Sequence, residues 1–233
     1  MEQNGTQDKQ ITTALLLAAG SGHRLRPITA DQPKCLTEVD GIPILERLVD
    51  CLCQQGFARL VVVVGYLEHN IREFLGEQRD GLTIEYVVNP KYSTTNNIYS
   101  LWEAREIVQE PFVLIESDLL FESSLLHDLQ QPDRIAVSSI QSWMNGGTTV
   151  TVDDLQQVKE FQLGEVQEAE GQRYKTVNIC SLSLESWQKV IVRLQQYVDS
   201  GQVNEYYERV FADMILDGSL SFEAVFFKPG SWY

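Results

Sequence analysis

The run Thr13-Ala-Leu-Leu-Leu-Ala-Ala-Gly-Ser-Gly-His-Arg-Leu-Arg-Pro-Ile-Thr29, continued by Gln32-Pro33-Lys34, decides how this chain folds. Thr13 to Ala18 is nearly all apolar, has the length of a strand and runs straight into glycine. Such a run suits a strand buried on both faces, as in a parallel sheet. Gly20 and Gly22 leave backbone N–H groups open to phosphate oxygens, with no Cβ in the way. Arg24 can fork onto phosphate, and Lys34 adds a compact second charge. A dinucleotide site would need a third glycine where Leu25 stands, and Asp40, about twenty residues on, reads more simply as a turn before Gly41. A P-loop would need Gly-Lys-Ser/Thr after a four-residue gap, and the loop lacks it.

Outward from the loop, strands and helices alternate. Ile44, Leu45, Leu48, Val49 and Leu52 recur at helical spacing, with Gly56 as the stop. Arg59 to Val64 is a second buried strand, Leu67 to Leu75 a helix and Thr83 to Val88 a third strand. Ile98 to Val108 reads as a helix and Pro111 to Ile115 as a fourth buried strand. That order implies βαβ units and a mostly parallel sheet flanked by helices, a Rossmann-like α/β fold. From 134 to 183 the strands are more polar, with turns at Asn145-Gly146-Gly147 and Asp153-Asp154. Two amphipathic helices follow, one carrying Trp187, Val190, Ile191, Leu194 and Val198, the other Tyr207, Val210, Phe211, Met214 and Ile215. Ser221 to Phe227 is a last strand. The expected organisation is a polar leader over 1–10 and a single domain over 11–233. Within it, a nucleotide-binding half covers about 11–130 and an acceptor-binding half about 131–233.

The bulk numbers bound the function. The 233 residues include 43% hydrophobic and 22% charged, the balance of a soluble globular protein. No apolar run approaches a membrane span and no secretion signal stands at the start. Cys35, Cys51, Cys53 and Cys180 show no disulfide spacing, so reduced thiols and a cytoplasmic location are expected. The net charge of −15 argues against nucleic acid. The positive charge is local: residues 20–34 hold His23, Arg24, Arg26 and Lys34 against Asp31 alone, which is enough to focus an anion on an acidic protein.

The loop resembles the signature of the sugar-1-phosphate nucleotidyltransferase superfamily, L-A-A-G-x-G-x-R-L-x-P-x-T with a later P-K. It matches at Leu17, Ala18, Ala19, Gly20, Gly22, Arg24, Leu25, Pro27, Thr29, Pro33 and Lys34. Asn96-Asn97-Ile98-Tyr99-Ser100-Leu101, Ser117-Asp118, Tyr174-Lys175-Thr176-Val177-Asn178-Ile179 and Asn204-Glu205-Tyr206-Tyr207-Glu208 are similar to the choline-phosphate and 2-aminoethylphosphonate cytidylyltransferase branch. The resemblance implies the nucleotide-diphospho-sugar transferase type of fold and transfer of a nucleoside monophosphate, CMP from CTP, to a small phosphorylated or phosphonate amine. Sugar-1-phosphate uridylyl or thymidylyl transfer, and a catalytically silent module of the same fold, are the alternatives.

Site residues follow in two sets. For the nucleotide, the resemblance implies Leu17, Ala18, Ala19, Gly20, Ser21, Gly22, Arg24, Lys34, Asn96, Asn97 and Ser117, with helix capping an open alternative for one of the asparagines. Arg24, Lys34 and Asp118 are the expected catalytic residues. Asp118, just past a strand, is the expected ligand of Mg²⁺, which takes one or two carboxylates plus phosphates; Glu116, on the same side by strand alternation, stands in reserve. Lys175 is the expected grip on the acceptor's phosphate or phosphonate. Glu205 and Tyr206 suit its cationic end, although a solvated helix face explains the acids equally well. Asn178 ranks lower, because three residues along a straight strand point it away from Lys175, and Trp143 has no clear counterpart. The chain reaches Ser231-Trp232-Tyr233, where the resemblance implies a following Glu-x-Asp that completes the metal site. CTP and the acceptor are the expected partners, with no nucleic acid and no membrane; a homodimer or a larger fusion is compatible with the sequence.

Overall fold

The computed structural model describes residues 10–141, 147–164 and 172–233. Most of the expected leader, Trp143 and the Asn145-Gly146 turn lie outside the described residues. In chain order the elements are β1 (Thr13–Ala18), β2 (Glu38–Val39), β3 (Ile42–Pro43), α1 (Ile44–Gln54), β4 (Arg59–Val64), α2 (Glu68–Leu75), β5 (Gln78–Arg79), β6 (Leu82–Val88) and α3 (Asn97–Glu103). There follow β7 (Phe112–Glu116), α4 (Leu126–Leu129), β8 (Arg134–Ser139), β9 (Thr148–Val152), β10 (Val158–Leu163), β11 (Arg173–Leu182), α5 (Leu184–Asp199), α6 (Tyr207–Leu216) and β12 (Glu223–Phe227).

The main sheet runs β10-β9-β11-β7-β1-β4-β6-β5, with β8 and β12 on the other side of β11. The neighbours β7, β1, β4 and β6 are parallel. β11 lies antiparallel to β7, β8 and β9, so the sheet is mixed, as expected. Alternation along β1 divides the core. Leu15, Leu17 and Ala19 face the cluster roofed by α3, α5 and α6. Ala14, Leu16 and Ala18 face the cluster roofed by α1, α2 and α4. Because both faces are covered, β1 is buried at every position. Trp187 fastens α5 to the first cluster: its ring meets Phe112 edge-on at 5.1 Å and its indole N–H donates to the Val108 carbonyl at 2.8 Å.

One expectation needs correcting, and another, that Asn178 faces away from Lys175, holds although its strand bends. The helix expected to reach Val108 ends at Glu103 and tightens into a 3₁₀ turn over Ala104–Glu106. The straight strand assumed around Asn178 is not straight. Asn178 has a left-handed φ of 59°, and the β8–β11 register shifts between Thr176 and Cys180. This bulge turns Asn178 back toward Thr176, whose hydroxyl meets its side-chain oxygen at 3.0 Å. All four cysteines are free thiols. No helix among the described residues is long and apolar enough to cross a membrane.

Candidate active site

The loop after β1 takes its shape from two contacts. Gly22 has φ 61°, a conformation open to glycine at low cost, and the Thr29 hydroxyl donates to its carbonyl at 2.8 Å. Thr29 is fully buried, so it anchors the loop to the core. A Cβ at Gly20 would meet nothing within 4 Å; the space beside that residue is open for a ligand.

This loop borders a cavity of about 270 Å³ at the carboxyl ends of β1, β6 and β7, where parallel sheets place their ligands. Leu17, Ala19, Gly20, Gly22, Arg24, Lys34, Asn96, Asn97, Ser117, Asp118 and Tyr206 all line it. So do His23 and Glu116. Ala18 turns its side chain into the opposite core cluster, so only its backbone faces this region. Ser21 is half-buried beside the cavity and does not line it. Lys175 and Glu205 do not line it either; Glu205 is exposed on the segment before α6.

Two of the charged groups that line the cavity form an ion pair. The Lys34 ammonium donates to the Asp118 carboxylate, with both side chains about a third exposed. Asn96 caps α3: its side-chain oxygen accepts from the Asn97 N–H at 2.8 Å. Asn97 reaches two ways. Its amide donates to Glu116 at 3.0 Å, and its oxygen accepts the N–H of Tyr207 at 2.9 Å, tying α6 to the cavity wall. Burial pushes the Glu116 carboxyl well above the usual range, and the negative charges of Asp118 and Glu208 add to this while Asn97 and Lys34 oppose it. Glu116 therefore holds its proton more tightly than an exposed carboxyl does.

Sequence reading missed two residues. Glu208 was taken for part of a solvated face, yet it is only 7% exposed, and one carboxyl oxygen has no hydrogen-bond partner. Burial raises its carboxyl, against the pull of its own backbone N–H, Lys175 and Asn97. Asn89 lines the cavity, is 1% exposed and donates to Ser100 at 3.0 Å. Its place just beyond β6 was the available signal.

A glycine loop, two cations and a carboxylate meet around one cavity. The sequence agrees: residues 14–142, more than half of the chain, match the MobA-like NTP transferase domain, and the chain belongs to that family. It is 37% identical over 168 residues to the CMP-5'-(3-aminopropyl)phosphonate synthase of Streptomyces rubellomurinus, covering 67% of this chain and 27% of that protein. It is 33% identical over 124 residues to the choline-phosphate cytidylyltransferase of Streptococcus pneumoniae, 53% of this chain and 52% of the relative. The match thus spans about a quarter of the first relative and about half of the second. Among solved structures, the CTP:phosphocholine cytidylyltransferase of Streptococcus pneumoniae superposes with a TM-score of 0.81 at 21% identity, over 96% of this chain and 92% of that one. That likeness establishes the same fold.

Proposed function

We propose that this protein transfers CMP from CTP to a small acceptor bearing a phosphonate or phosphate and an amine, releasing pyrophosphate. The observation that carries the reading is one cavity bordered by the open glycine loop, Arg24, the Lys34–Asp118 pair and Asn97. Relatives named for CMP-phosphonate synthesis and for choline-phosphate and 2-aminoethylphosphonate cytidylyl transfer support the base and the acceptor class.

A phosphonate or phosphate oxygen is ionised near pH 7 and needs no general base. It attacks the α-phosphorus in line, and the protein's work is positioning and charge neutralisation. The Gly20–Gly22 amides and Arg24 hold the phosphates that leave, and Lys34 swings from Asp118 to the growing charge. Lys175 is the expected grip on the acceptor. It lies on β11, outside the cavity. A divalent metal fits the donor chemistry, since Mg²⁺ needs a single carboxylate when phosphates supply the rest. Asp118 would hold it, and the ion would supply phosphate charge neutralisation.

Pyrophosphate release measured with each of four NTPs, against 2-aminoethylphosphonate, phosphocholine and glucose-1-phosphate, tests the reading. CTP with an amine-bearing acceptor is the expected pair. Turnover with UTP and glucose-1-phosphate would instead favour the sugar-nucleotide reading. A second relative supports that alternative, the UTP–glucose-1-phosphate uridylyltransferase of Haloferax volcanii, 38% identical over 112 residues.

A further inference from the structure

The sheet order gives the glycine-loop cavity two unlike sides. Along β7-β1-β4-β6, Asp118 follows β7 on one side of the loop and Asn89 follows β6 on the other. The β7 side holds Glu116 and the Lys34–Asp118 ion pair. The β6 side is lined by Asn89, Tyr92, Thr95 and Ser100, with no acidic or basic side chain among them. Phosphates belong with the cations, so a nucleotide in this cavity lays its base on the β6 side.

That side is braced from within. The Asn89 amide donates to Ser100 at 3.0 Å and to Thr95 at 3.3 Å, and its oxygen accepts the Lys91 N–H at 2.9 Å. With Asn89 spent on the protein itself, the wall offers a base shape more than hydrogen bonds. Tyr92 sits on this braced turn, half-buried, packed against the α3–α5–α6 core and lining the cavity. Gly65, at the end of β4, receives it. A Cβ on Gly65 would stand 2.7 Å from the Tyr92 Cβ, and 2.9 Å from both the Tyr92 Cγ and the Ala19 carbonyl oxygen. Contacts that short cannot be held, so the glycine serves close approach here. Tyr66 fixes the seat. Its N–H donates to the Ala19 carbonyl at 3.1 Å and its hydroxyl to the Ala30 carbonyl at 2.6 Å, which ties the end of β4 to both ends of the glycine loop.

A purine exceeds a pyrimidine by one fused ring, and the phenol ring of Tyr92 occupies space on the side where that ring would lie. We propose that Tyr92, seated on Gly65, is the specificity-determining residue that limits the base to a single ring. This rests on the nucleotide-binding reading of the cavity given above.

The test is calorimetric titration of the full chain with CTP, UTP, ATP and GTP, which needs neither acceptor nor turnover. Wild type should bind the pyrimidine nucleotides more tightly than the purine ones. Tyr92→Ala should shrink that ratio about tenfold or more, the scale on which an apolar pocket discriminates by size, and chiefly by admitting purines. Tyr92→Phe should keep the ratio, because the ring and not the hydroxyl is the stop. If the alanine variant fails to fold, Tyr92→Leu carries the same comparison, since it keeps an apolar body on the core and drops the ring. A ratio that Tyr92→Ala leaves unchanged overturns the proposal. That includes four affinities falling together, the mark of a ring that stacks on any base. The failures are distinguishable. An unchanged ratio in a protein whose wild type binds CTP best sinks the Tyr92 wall and spares the proposed function. A wild type that prefers UTP sinks CMP transfer and spares the wall. A wild type that prefers ATP or GTP, or binds none of the four, sinks both.

Discussion

The polar groups around the glycine loop and those on β8, β9 and β11 are prepared differently. Around the glycine loop, Lys34 already holds Asp118, and Asn97 already holds Glu116 and the start of α6. On β8, β9 and β11, Ser138, Thr149 and part of Arg173 are buried with no partner. The first site keeps its charges in place through internal pairs that a ligand must exchange. The second leaves donors open, at a standing cost to stability. Removing one of these unpartnered hydroxyls should therefore leave the fold as stable or more stable.

The largest expected effect is at the loop. Lys34→Ala and Arg24→Ala should each lower kcat/KM about 10²-fold, the usual loss of one transition-state donor at ~3 kcal/mol, with melting little changed. Normal turnover by a folded Lys34 variant would remove the loop from the chemistry. Asn97→Ala should come next. It strips Glu116 of its donor and Tyr207 of its acceptor, so stability should fall by about 1–3 kcal/mol and activity with it. Chemical denaturation that places the variant level with the wild type would show that Asn97 does not join the halves. Lys175→Ala should raise the acceptor KM about tenfold while the CTP KM holds. Equal changes in both constants would move Lys175 away from the acceptor.

The smallest effect is on pH dependence. Glu116 has a raised carboxyl in the folded state, so the fold keeps a proton that the unfolded chain loses above about pH 4.5. Stability from this group is fully present below that pH and falls as pH climbs toward the raised value. Glu116→Gln should flatten the decline, by about 1 kcal/mol for each pH unit inside the window. A wild type whose stability does not fall across that range, or a glutamine variant that falls just as steeply, would show Glu116 ionised.

The parallel half was readable from sequence because its signals are local. An apolar run, two glycines, Arg24 and Lys34 stand within 22 residues of one another, and a strand buried on both faces has a distinctive composition. Asp118 was legible for the same reason, lying just after such a run. Glu208 was not, because its burial depends on α6 docking against Asn97, 110 positions away from Tyr207 in the chain. The row of Ser138, Lys175 and Thr149 was also out of reach. Alternation tells which residues of one strand share a face, but not which strands meet.

The last residues of the chain bear on how these experiments are built. Tyr233 exchanges two backbone hydrogen bonds with Leu120, at 2.8 and 2.7 Å, and Trp232 bridges Phe121. The pairing is antiparallel, so whatever is joined after Tyr233 starts two positions from Asp118 and heads toward it. Tyr233 and Leu120 line a second pocket, beside α1, and not the glycine-loop cavity. Gln10 touches Gln130 at the opposite end of β1.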